Sequence, residues 1–148
     1  MNLALRSLSI ATAAAIAASS TFAQEVSIPS GEWHGQVQWY ATVDSMPDPA
    51  AHSVGTIVFA VDPRGKVAVS ASDMGCTGLG LFSAGPMVAI KTLDITLKGC
   101  SFEGYNRRYS GTLQLEDGGR RVNLRLQASN IRIGTKTAFY EVKGALVR

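Results

Sequence analysis

Apolar and polar residues alternate along most of this chain with a period of two, and that alternation dictates strands. Successive side chains of a strand point to opposite faces. A stretch such as Trp33-His34-Gly35-Gln36-Val37-Gln38-Trp39 therefore has one oily face and one wet face. No segment after residue 23 carries a long apolar period of 3.6 residues, so helices are not expected to build the core. Gly, Pro, Asn and Asp interrupt the alternation often enough to make the strands short and numerous.

The first strand is expected over 33–43, with Trp33, Val37, Trp39, Ala41 and Val43 on one face. Residues 44–51 contain Pro47 and Pro49 and read as a loop that cannot continue the strand. Asp62-Pro63-Arg64-Gly65 reads as a hairpin turn. Pro63 presets φ and Gly65 takes the left-handed residue, which sets Val61 opposite Val67 and Phe59 opposite Val69. A short strand over 77–83 has Leu79 and Leu81 on one face, and its glycines suggest a bend or bulge. The next strand, within 88–100, turns Leu93, Ile95 and Leu97 inward.

Gly118-Gly119 makes the clearest hairpin. It pairs Leu115 with Val122, Leu113 with Leu124, Glu116 with Arg121 and Thr112 with Arg125. A one-residue slip would bury Arg121 and Arg125, so the register is fixed. A last strand lies within 137–147.

About eight antiparallel strands with one apolar face each must cover that face. The expected fold is all-β, a single up-and-down barrel, with a β-sandwich as the alternative. The barrel is favoured because closure removes edges.

Residues 1–23 read as a secretory signal peptide. Arg6 precedes a run rich in Leu, Ile and Ala, and Thr21-Phe22-Ala23 offers small residues at the cleavage positions. Cleavage after Ala23 leaves one domain over 24–148, with no transmembrane anchor. The leader has a bacterial look, so the expected destination is the periplasm or the exterior. In an oxidising compartment the two cysteines, Cys76 and Cys100, form a disulfide.

Charge is uneven along this exported domain. Residues 24–103 carry four basic and eight acidic side chains, whereas 104–148 carry nine basic and three acidic. Arg107, Arg108, Arg120, Arg121, Arg125 and Arg132 form the candidate basic face, because guanidinium forks suit carboxylate and phosphate groups. His34 and His52 lie apart in sequence and carry no metal-site spacing, so neither a metal nor a cofactor is expected. No HExxH, GxSxG or phosphate-loop motif is present, and no enzyme is expected. Export and the lack of interleaved aromatic and basic residues argue against nucleic acid as a partner.

Three stretches resemble known families. Gly31-Glu32-Trp33 is similar to the G-x-W signature of the lipocalin superfamily. That likeness implies that Trp33 closes the barrel base beneath an arginine, with Arg132 as the candidate, and that a small apolar ligand is carried inside. Tyr140-Glu141-Val142-Lys143-Gly144-Ala145 resembles the aromatic-x-x-Lys-Gly stretch of periplasmic lysozyme inhibitors of the membrane-bound C-type class, which are small disulfide-bearing barrels. Gly75-Cys76-Thr77, the strand leading to Cys100, and Tyr109-Ser110-Gly111-Thr112-Leu113 resemble a set of small exported bacterial barrels of unassigned function, which implies a fold alone.

The expected function is a non-enzymatic periplasmic or secreted binding protein. Its partner would be a protein or anionic macromolecule, and an inhibitor or immunity-type role is in view. A lipocalin-like carrier is the alternative.

Overall fold

The computed structural model describes residues 30–148, so the signal peptide expected over 1–23 and its expected cleavage site lie outside the described residues. Nine strands occur among the described residues. They are β1 (Gly31–Val43), β2 (Met46–Pro47), β3 (Ser53–Val61), β4 (Lys66–Ala71), β5 (Cys76–Ala84), β6 (Ile90–Lys98), β7 (Arg108–Glu116), β8 (Arg121–Ile133) and β9 (Lys136–Val147). The sheet order is β2-β1-β3-β4-β5-β6-β7-β8-β9, and β9 pairs back with β1. The result is a closed antiparallel barrel of eight strands, with β2 as a short extra strand.

Turn chemistry sets the registers. In the β3–β4 hairpin Val61 faces Val67 and Phe59 faces Val69. Gly65 has φ 81°, and the Asp62 carboxylate accepts the N–H groups of Arg64 and Lys66 at 2.8 Å each. In the β7–β8 hairpin Leu115 faces Val122, Leu113 faces Leu124, and Glu116 faces Arg121. Gly118 and Gly119, at φ 65° and 84°, supply the mirror-image turn whose twist suits paired strands.

Two local expectations need correction. Residues 44–51 are not simply a loop. Asp44 and Ser45 turn the chain at φ 50° and 66°, and Met46–Pro47 returns along β1, opposite Val43 and Thr42. Pro47 is tolerated because β2 has a partner on one side only. Nor does β5 bulge, since it pairs with β4 and β6 in unbroken register. Its glycines answer to close approach instead: a Cβ at Gly80 would lie 2.3 Å from the carbonyl oxygen of Asp94. The irregular register lies in β8, between Ala128 and Ile131.

The interior is filled by side chains. Trp33, Trp39, Phe59, Ile57, Leu93, Ile95, Leu97, Tyr109 and Leu126 are all buried there. Burial of each large apolar side chain stabilises the fold by roughly 1.5–3 kcal/mol.

The two ends of the barrel differ. At one end the Cys76–Cys100 disulfide ties the start of β5 to the segment after β6. There Tyr105, from a 3-10 turn at Glu103–Tyr105, plugs the opening. Its ring meets Trp39 edge-on at 4.9 Å and Tyr140 at 5.7 Å, and its hydroxyl donates to the Ala51 carbonyl. At the opposite end Trp33 is buried beneath the guanidinium of Arg148, 4.8 Å above the ring. The expected lid, Arg132, is instead opposite Thr137, next to the Ile131–Ala138 pair that adjoins Val43. Ten residues of β1 separate Val43 from Trp33, or about 33 Å of strand. The G-x-W tryptophan thus has an arginine over it, but from the end of the chain.

Candidate functional site

Polar outward residues of β1, β7, β8 and β9, together with the exposed Val54 of β3, line a shallow trough of ≈ 860 Å³. Gln36 and Gln38 come from β1, Thr112 and Gln114 from β7, Asn123 and Arg125 from β8, and Lys143 from β9. The surface dips because β9 has Gly144 and Ala145 there. Gly144 allows β1 to come close, and a Cβ on it would lie 2.4 Å from the Gln36 carbonyl oxygen.

The charged part of this trough is organised around Glu141. Its Oε1 accepts Arg125 Nε at 2.7 Å and Gln127 Nε2 at 3.0 Å, and Lys143 Nζ lies 3.5 Å from Oε2. Register brings these groups together, because Arg125 faces Lys143 and Gln127 faces Glu141 across the β8–β9 ladder. Burial by itself would raise the Glu141 pKa. Hydrogen bonds from Gln127 and Arg125, with the charges of Arg125 and Lys143, outweigh it and hold the carboxyl below its ordinary value. Arg125 is engaged at Nε, and its terminal amino groups have no partner among the described residues. Its side chain remains 62% exposed. A guanidinium fixed at its root with its fork free is suited to a carboxylate or phosphate, while the surrounding carboxamides can donate and accept.

The six arginines of the candidate face do not form one patch. Arg121 and Arg125 share the outer face of β8, and Arg121 lies 3.9 Å from Glu116. Arg120 is in the adjoining turn, where its Nε donates to the Asp117 carbonyl at 3.3 Å. Arg107 and Arg108 lie toward the disulfide end. Arg107 stacks 4.0 Å over the Tyr140 ring and donates to the Gly104 carbonyl, while Arg108 pairs with Asp94 at 3.4 Å. Arg132 is exposed beside the β8–β9 turn.

The histidines stay apart. His34 is opposite Val58, whereas His52 stacks on Tyr40 at 4.7 Å, about 20 Å further along β1. No group of three or more His, Cys, Asp or Glu residues with metal-binding geometry occurs among the described residues.

Sequence reasoning missed Glu141 as an organiser, Arg148 as the cover of Trp33, and two interior residues, Tyr105 and Lys91. Lys91 points inward from β6 and is 1% exposed, and its ammonium has no hydrogen-bond partner among the described residues. A signal for it existed, because Lys91 has the same parity as Leu93, Ile95 and Leu97. Comparison with protein-family models, curated proteins and solved structures finds no match for this chain.

Proposed function

We propose that this protein is an exported, non-enzymatic binding protein that recognises a macromolecular partner through the β1–β9–β8–β7 trough. Its partner presents carboxylate or phosphate groups, as an acidic protein surface or an anionic glycan would. The supporting observation is the Arg125 guanidinium, held at Nε by the shielded Glu141 and free at its fork. A filled barrel interior favours recognition on the outside over carriage of a ligand within. Inhibitor and immunity-type roles are the forms such a rigid, disulfide-tied scaffold serves best, because a preorganised surface loses little entropy on binding.

Affinity capture from periplasmic and secreted fractions tests this reading. Arg121→Glu with Arg125→Glu should abolish capture of the partner. Because Arg125 also supports Glu141, Gln114→Glu is the companion variant: it adds negative charge to the trough and leaves the Glu141 bonds untouched. Capture that survives both variants rejects the trough as the site.

A further inference from the structure

The outer face of β5 departs from the polar pattern of the strands across the barrel. It carries Leu79 and Leu81, which are 74% and 57% exposed. Register sets Ala68 beside Leu79 and Ala60 beside Ala68, so the apolar strip runs across three strands. Shallow hollows of ≈ 540 Å³ and ≈ 420 Å³ flank Leu79. Beyond Ala84 the chain adds two more exposed apolar side chains, Met87 and Val88.

Cations surround this strip. Arg64 and Lys66 lie at one end of it, and Lys98 is in the next strand, opposite Thr77. None of the three makes an ion pair among the described residues. Of the nearby acids, Asp62 and Asp94 are already engaged. Asp62 caps its own turn, and Asp94 accepts the Ser110 hydroxyl at 2.6 Å and faces Arg108 at 3.4 Å. Glu32, exposed on β1 opposite Ala60, has no ion-pair partner among the described residues, which leaves three free cations against one free carboxylate.

Exposed leucines among unpaired cations match the headgroup–acyl boundary of an anionic membrane. There a lysine stem lies along hydrocarbon while its ammonium reaches the phosphates. The strip is one-sided. β5 and β9 are four strands apart in either direction round the ring, and β8 and β9 on the far side carry Asn123, Arg125 and Lys143 of the trough.

We propose that the β3–β4–β5 face docks on the surface of an anionic phospholipid bilayer. Leu79 and Leu81 seat below the headgroups, Arg64, Lys66 and Lys98 contact phosphates, and the trough across the barrel is held toward the aqueous side.

Co-sedimentation of the purified protein with vesicles of phosphatidylglycerol and phosphatidylcholine in equal parts tests this. Binding is expected, and it should weaken as salt is added. Leu79→Ser with Leu81→Ser should weaken it by about tenfold or more. Lys66→Gln and Lys98→Gln should each weaken it by about fivefold. Ile133→Ser, which removes an exposed apolar side chain near the disulfide end, should leave it unchanged. Circular dichroism confirms that each variant is folded, since all these side chains are exposed. Failure to sediment with these vesicles overturns the proposal, as does binding that survives the double leucine variant. A concentration-dependent dimer abolished by the same variant also overturns it, because the occupant is then a second copy of the chain.

Discussion

The Glu141 carboxylate accepts the Nε–H of Arg125 at 2.7 Å from an outward position of β9 that is only 5% exposed. Shielding a carboxylate so far from water is stable only with its bonds intact. Glu141→Gln should therefore cost about 1–3 kcal/mol at neutral pH, read by chemical denaturation. The pH dependence has a definite sign. The folded pKa lies below the ordinary value of 4.5, so this stabilisation is complete above pH 4.5 and is lost as pH falls through the lower folded value. Asp94, held down by the Ser110 hydroxyl and Arg108 against a smaller opposing effect of burial, acts in the same acid window. The acid limb of the stability curve should flatten in Glu141→Gln; an unchanged slope would assign acid sensitivity elsewhere.

Lys91 should be a stability defect of the wild-type fold. A buried ammonium without a hydrogen-bond partner has given up its hydration for nothing in return. Methionine has a similar length and no charge to desolvate, and replacing buried charge by apolar side chains is often stabilising. Lys91→Met should raise the unfolding free energy by about 1–3 kcal/mol, measured by urea titration with an unchanged m-value. Loss of stability in this variant would mean that the ammonium is satisfied in solution.

Tyr105 and Tyr109 predict behaviour in base. Burial raises the pKa of both phenols above the ordinary value of 10.0. Their folded pKa values exceed the unfolded ones, so the neutral phenols stabilise the fold fully below pH 10.0, and that contribution is lost as pH rises toward the folded values. The barrel should unfold cooperatively in strong base, with phenolate absorbance from these two residues appearing together with loss of far-ultraviolet β signal. Tyr105→Phe removes the hydroxyl that donates to Ala51 and should cost about 1–2 kcal/mol at neutral pH. Phenolate absorbance that rises before the β signal falls would show that the plug opens independently.

The strand inventory and both tight hairpins were legible in the sequence because local chemistry decides them. Asp62-Pro63-Arg64-Gly65 and Gly118-Gly119 each select a turn, and the turn then selects the register. Period-two alternation, however, says which residues share a face and not which face is inside. On β5 the two leucines, Leu79 and Leu81, face out while Gly78, Gly80 and Phe82 face in. Cys76 carried the missing information. A half-cystine bonded beneath the sheet is inward, and Phe82 shares its parity. Lys91 was hidden by the opposite error, since charge argued against a position that parity assigned to the core. Tyr105 and Arg148 reach their partners through contacts 54 and 115 residues apart in sequence, which no local pattern encodes.

Gly111 connects the fold to the candidate site. It lies on the inward side of β7, where β8 passes so close that a Cβ would fall 1.9 Å from the Arg125 carbonyl oxygen and 2.9 Å from the Leu126 Cα. Both obstacles are backbone, so a rotamer change cannot relieve them. Gly111→Ala must push β8 away from β7 at the residue whose side chain meets Glu141. The expected outcome is a loss of about 1–3 kcal/mol, the range for overpacking a tight interior. The displaced strand would also stretch the Arg125–Glu141 bond, so the variant should weaken partner capture even at temperatures where it remains folded. Gly118→Ala is the contrast. No atom lies within 4 Å of its Cβ, and its penalty comes from φ 65° alone. It should cost about 1–2 kcal/mol and leave capture intact. Equal capture by the two variants at matched folded fraction would sever the link between the β7–β8 approach and the trough.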